Sequence, residues 1–150
     1  MSNFGYEGTA SAAAAKPTRM RAWLAVILFV CIVIAYLDRV NLSVLVADPL
    51  FLQDMGLVGK PLEVGLLTSF FIFAYGVSNF VLTPFGDKFG PRKATIGALT
   101  MWIVSSVIGG LAPVFAVMLL SRVVLGLGEG MHFPMQSKFV KNWFPPLERG

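Results

Sequence analysis

ATIGALTMWIVSSVIGGLAPVFAVMLLSRVVLGLGEGMHFPMQS, residues 94–137, is a run of 44 positions that holds only two charges, Arg122 and Glu129. An α-helix needs about 20 apolar residues to cross a bilayer core, so this run is too long for one span. Gly109, Gly110 and Pro113 break it near the middle. Two spans are therefore expected, at about 94–112 and 114–138. The run is continuous rather than alternating, which favours helices over barrel strands of ~10 residues.

Two more apolar runs lie upstream. Val64–Gly86 gives 23 uncharged residues, the second span. Ala22–Leu37 gives 16, Asp38 and Arg39 interrupt, and Val40–Ala47 resumes, so 22–47 makes a tilted first span of 26 residues. A cleaved signal peptide is the competing reading of that segment. The run is long for one, and no A-x-A site follows it. Residues 1–21 form a short basic tail with Lys16, Arg19 and Arg21. Residues 48–63, with Pro49, Gly56, Gly59 and Pro61, read as a loop, and Asp87–Lys93 as a tight charged turn.

Composition agrees. Of the 150 residues, 56% are hydrophobic and 13% charged, and mean hydropathy is +0.74. A soluble domain carries about 25% charged residues, and one of this size could not bury so much apolar surface. Disorder is excluded on the same ground. The single cysteine, Cys31, excludes a disulfide framework and any cysteine-based zinc site. No metal or cofactor is implied, and no nucleophile–base–acid set suggests an enzyme.

The net charge of +4 follows from topology. With the N-terminus in the cytoplasm, nine basic residues lie inside (Lys16, Arg19, Arg21, Lys88, Arg92, Lys93, Lys138, Lys141, Arg149) and one outside, Lys60. That satisfies the positive-inside rule, and no nucleic-acid partner is needed. The expected location is the cell's inner or plasma membrane, with the lipid bilayer as first partner.

Asp38, Arg39, Arg122 and Glu129 are charges inside spans. Each costs about 2.5–3.5 kcal/mol on insertion scales, so each is expected to pair or to face water. One reading is an ion-pair network that only locks the first span to the fourth. The functional reading divides their labour. Asp38 and Arg39 are neighbours and diverge by about 100° on a helix, so one can face the bundle and the other a cavity. Arg122 and Glu129 stand seven apart, nearly on one face. Desolvation favours a neutral carboxyl and an arginine contact favours a charged one, so making or breaking that contact changes proton affinity. An arginine free of its partner can fork two N–H bonds onto an anionic carboxylate.

Four motifs in order carry a family resemblance: YLDRVNLS at 36–43, DKFGPRK at 87–93, RVVLGLGEG at 122–130 with Pro134, and WFPPLERG at 143–150. Together they resemble the anion:cation symporters of the major facilitator superfamily, as in proton-coupled galactonate and glucarate permeases. The resemblance implies an all-α integral membrane protein whose four spans begin a twelve-helix fold. It implies symport of protons with a small organic anion such as a sugar acid. Carried over, Tyr36, Arg39 and Tyr75 match substrate-cavity positions, with Asn41 and Asn79 weaker ones. Asp38 and Glu129 match the protonatable carboxylates and Arg122 their ion-pair partner. Asp87, Gly90, Arg92 and Lys93 match a gating loop. The sequence departs from the family at Phe73, Ala74, Asn79, Thr83 and Ser137. Those departures on the second span bear on the substrate.

Family members place substrate between two six-helix halves, so four spans are expected to be an N-terminal piece whose remaining helices are partners absent from this chain. The alternatives are a four-helix interaction or regulatory protein, a small dimeric cation or drug exporter, and a drug:proton antiporter. Arg39 in the cavity disfavours cations. Gly126-x-Gly128-x-Gly130 lacks the strand of a nucleotide loop. Gly126-x-x-x-Gly130 instead has the spacing of close helix packing. His132 reads as packed or hydrogen-bonded, and Trp23, Trp102 and Trp143 as interfacial anchors or packing residues. Pro134 is expected to bend the fourth span.

Overall fold

In a computed structural model, residues 19–144 are described. Most of the basic tail expected over 1–21 and the end of the last motif, 145–150, lie outside the described residues. Six helices follow in order: α1 Arg19–Ala47, α2 Pro49–Asp54, α3 Pro61–Val81, α4 Thr83–Phe89, α5 Pro91–Gly110 and α6 Phe115–Trp143. No strand occurs among the described residues. The helices α1, α3, α5 and α6 are long and apolar enough to cross a membrane. The chain is thus an all-α, multi-pass integral membrane protein.

Two segments differ from expectation. The loop over 48–63 contains a helix, α2. Asp48 caps it by accepting a hydrogen bond from the Leu50 N–H at 3.0 Å, and Pro49 supplies its first turn. The charged segment 87–93 is not one turn. Asp87 and Lys88 belong to α4, Gly90 breaks the chain, and Pro91, Arg92 and Lys93 open α5. Gly90 has φ +86°, a region that L side chains rarely enter, so a helix can end and another begin within one residue. Pro134 lies inside α6, which runs on to Trp143.

The helix α6 lies between α3 and α5 and packs mainly against those two. Its glycines set the spacing. A methyl group placed on Gly126 would stand 2.5 Å from the Phe71 carbonyl oxygen, and one on Gly130 would stand 2.5 Å from the Tyr75 carbonyl oxygen. Both faces belong to α3. One on Gly128 would stand 2.9 Å from the Ala98 carbonyl oxygen of α5. Backbone therefore meets backbone on both sides, in the manner of small-residue packing in membranes. The Ser78 hydroxyl donates to the Leu127 carbonyl at 2.6 Å and adds a polar tie between α3 and α6.

The helix α1 is attached differently. Only 6% of its most apolar stretch is buried, against 50% for α6, and Trp23, Phe29, Tyr36 and Leu37 stand exposed. It joins the core through Ala35, which packs with Phe71, Trp102 and Leu125, and through Leu42, which meets Leu67 and Met118.

Candidate functional site

Asp38, Arg39 and Glu129 lie where α1 meets α6, and Arg122 lines the same cavity as Asp38 and Arg39. Arg39 donates from a terminal nitrogen to Glu129 Oε2 at 2.9 Å. The Glu129 side chain is fully buried, whereas that of Arg39 is 38% exposed, so the pair joins the interior to an open cavity. Glu129 Oε1 has no hydrogen-bond partner among the described residues. The Arg39 guanidinium lies 5.5 Å from the Tyr75 ring centre, 5.6 Å from Phe71, 5.8 Å from Tyr36 and 6.0 Å from Phe133. Such rings attract the cation through their faces and keep water from its sides, leaving its N–H fork to find an anion.

Asp38 takes a different partner. Its Oδ2 accepts a hydrogen bond from the Trp102 indole N–H of α5. Trp102 is therefore a buried mid-helix donor rather than an interfacial anchor. Its ring meets the His132 ring edge-on at 5.9 Å. His132 in turn lies 2.9 Å from the Gln136 amide nitrogen, which also donates to the Leu28 carbonyl of α1 at 3.3 Å.

Arg122 is 8% exposed and makes no hydrogen bond or ion pair with either acid. Its Nε is buried without a hydrogen-bond partner among the described residues. The resemblance makes Arg122 the ion-pair partner of both acids; here Glu129 pairs with Arg39, and Asp38 accepts from Trp102. The reason is geometric: seven residues separate Arg122 from Glu129, about 10 Å along the helix axis, so the two stand apart.

A cavity of about 470 Å³ opens between α1, α3 and α6 beside these charges. Asp38, Arg39 and Arg122 line it together with Tyr75, Ser43 and Thr68. Its volume suits a small organic molecule. Arg39 and Tyr75 thus line it as expected, while Tyr36 reaches it only through its ring against Arg39. Asn41 faces a second, smaller pocket instead. Asn79 donates back to the Tyr75 carbonyl of its own helix at 3.3 Å. Gly90, Arg92 and Lys93 lie at the junction of α4 and α5, and Asp87 on α4. Phe71, Phe133, Trp102, Ser43 and Thr68 were not singled out as site residues from sequence. Their aromatic and hydroxyl side chains look like ordinary span residues until the helices are paired.

The Trp102–Asp38 bond predicts a result in the full-length protein. Trp102→Phe keeps the ring and loses the donor. A hydrogen bond to a charged group is worth about 1.5–3 kcal/mol. Melting in detergent should fall for Trp102→Phe and for Asp38→Ala, and the double variant should fall little further. Additive losses would show that the two residues act independently.

A family model described as Major Facilitator Superfamily matches residues 28–150. A probable sulfoacetate transporter of Cupriavidus necator is 39% identical over 117 residues, covering 78% of this chain and 26% of that protein. The hexuronate transporter of Bacillus subtilis is 36% identical, covering 81% of this chain and 28% of that protein. A probable L-galactonate transporter of Escherichia coli is 33% identical, covering 88% and 28%. The chain thus spans roughly a quarter of the length of these curated relatives. No solved structure matches it. With the match running from the middle of α1 through every motif quoted above, the chain belongs to the Major Facilitator Superfamily.

Proposed function

We propose that this chain is part of a secondary transporter that carries a small organic anion across the membrane together with protons. The observation that carries the proposal is the Arg39–Glu129 pair, one partner buried and the other open to the cavity. The relatives' names, which cite sulfoacetate, hexuronate and L-galactonate, support an organic-acid cargo.

The mechanism follows from competition for one guanidinium. An anionic substrate entering the cavity binds Arg39 through its N–H fork and displaces Glu129. A buried carboxylate deprived of its cation is costly, so Glu129 takes up a proton. Proton binding and anion binding then favour each other, and by linkage the effect is reciprocal. Asp38 is the second protonatable group, and Arg122 stands beside it as a further anion contact. The remaining helices of the full-length protein close the cavity and supply the opposing half. The N-terminus is cytoplasmic, on the nine-to-one distribution of basic residues, in the cell's inner or plasma membrane. The junction of α4 and α5, with Asp87, Gly90, Arg92 and Lys93, gates the cytoplasmic face.

Arg39→Lys tests the anion site. An ammonium cannot present a planar fork, so apparent affinity should weaken about tenfold, or about 1.4 kcal/mol. Counterflow in proteoliposomes, with labelled hexuronate, galactonate or sulfoacetate, reads it directly. Unchanged affinity would remove Arg39 from the binding site.

A further inference from the structure

Next to the main cavity, and sharing Asp38 with it, lies a smaller, more enclosed chamber of about 160 Å³ between α1, α5 and α6. Its polar lining comprises Asp38, Asn41, Ser105, Ser106, Ser121 and Arg122. Asp38, Arg122 and Leu125 also line the main cavity, so these three residues stand between the compartments.

The hydroxyls are arranged in one sense. Ser105 donates to the Trp102 carbonyl at 2.7 Å, Ser106 to the same carbonyl at 3.1 Å, and Ser121 to the Met118 carbonyl at 2.7 Å. Each hydroxyl proton is spent within its own helix, which leaves oxygen lone pairs for the chamber. Donors there come from the Arg122 guanidinium and from the Asn41 amide. The occupant must therefore both donate and accept hydrogen bonds. The Arg122 guanidinium opposes a metal cation and the Asp38 carboxylate opposes an anion. Water meets both conditions, and the volume holds a few molecules.

We propose that this chamber is a water-filled proton entry to Asp38, separate from the cavity that receives the anion. Hydronium formed at the chamber mouth passes its proton along hydrogen-bonded water to the Asp38 carboxylate. Water remains and Asp38 becomes a neutral carboxyl. Asp38 can then be protonated while the anion occupies the other side. The proposal rests on the transport reading above and deepens it.

Ser106 is exposed on α5, so a larger side chain can be placed there without opening the core. In proteoliposomes of the full-length protein, Ser106→Leu should cut uptake driven by a proton gradient by about tenfold or more. Counterflow exchange of the same anion should stay near the parent level, and Ser106→Ala should retain uptake. If gradient-driven uptake in Ser106→Leu stays near parental, the chamber is not the proton route. Exchange falling in step with uptake would also overturn it, because the block would then lie on the anion's path. A requirement of parental uptake for sodium or chloride, lost in Ser106→Leu, would assign the chamber to that ion and overturn it as well. If the parent protein shows no gradient-driven uptake of any organic anion, the transport reading itself fails. That result is read before any variant is made.

Discussion

Glu129→Gln in the full-length protein is expected to abolish uptake driven by a proton gradient while leaving counterflow exchange measurable. Glutamine keeps the size of the side chain and an oxygen for Arg39, but it cannot gain or lose a proton. The Arg39 contact at 2.9 Å therefore weakens from a charged to a neutral hydrogen bond, and the site stays in its protonated-like state. Exchange needs only that the anion bind and the cavity reorient, so it should continue. Gradient-driven flux should drop by at least about a hundredfold, because the proton has lost its acceptor. The measurement is labelled-anion uptake into proteoliposomes under an imposed pH difference, set beside exchange at equal pH. Gradient-driven uptake that survives the change would remove Glu129 from the coupling.

The second large effect is structural. Gly126→Leu and Gly130→Leu should eliminate folded protein. Gly126→Ala and Gly130→Ala should each cost about 1–3 kcal/mol, at the level of overpacked cores. In both cases the added carbon would stand 2.5 Å from a carbonyl oxygen of α3, and backbone cannot move aside as a flexible side chain can. Gly97→Ala is the matched control. It also faces α6, but its new carbon would meet only the end of Met131, at an ordinary 3.7 Å. Size-exclusion profiles and melting temperatures in detergent should therefore separate Gly126 and Gly130 from Gly97. Equal tolerance at all three would mean that α3 and α6 do not meet at these glycines.

The helical spans were legible because charge is so costly in a bilayer that uncharged runs mark them. The charged residues between runs were harder. Asp87–Lys93 looks like a turn from its Gly-Pro pair and charge. Helix α4 nevertheless carries through Asp87, because a proline opens it at Pro84 and only Gly90 leaves the helical region. The helix α2 was signalled by Asp48-Pro49, a cap followed by a first-turn proline, yet the glycines downstream weighed toward a loop. In the site, sequence could name the four charges but not pair them. Spacing along one helix says how Arg122 stands relative to Glu129. It says nothing of which residue another helix will bring. That α1 presents Arg39 to Glu129, and that α5 presents Trp102 to Asp38, depends on how helices far apart in the chain are set against each other. Gly126 and Gly130 were readable as close-packing positions. That Gly128 serves the opposite neighbour needed the assembled helices.

The glycine contacts on both sides of α6 have a mechanical consequence. A spindle gripped by backbone on two faces cannot roll or slide without unseating one of its neighbours. The helices α3, α5 and α6 therefore form a stiff slab, and any rocking of this part of the molecule must carry them together. Among the described residues, α1 meets the slab through a few side chains, the Gln136 bond to the Leu28 carbonyl, and the bonds of Asp38 and Arg39. Chemistry at Asp38 and Arg39 thus acts on that joint. On the transport reading proposed above, loading a proton or an anion there would work as a clutch between that helix and a rigid plate.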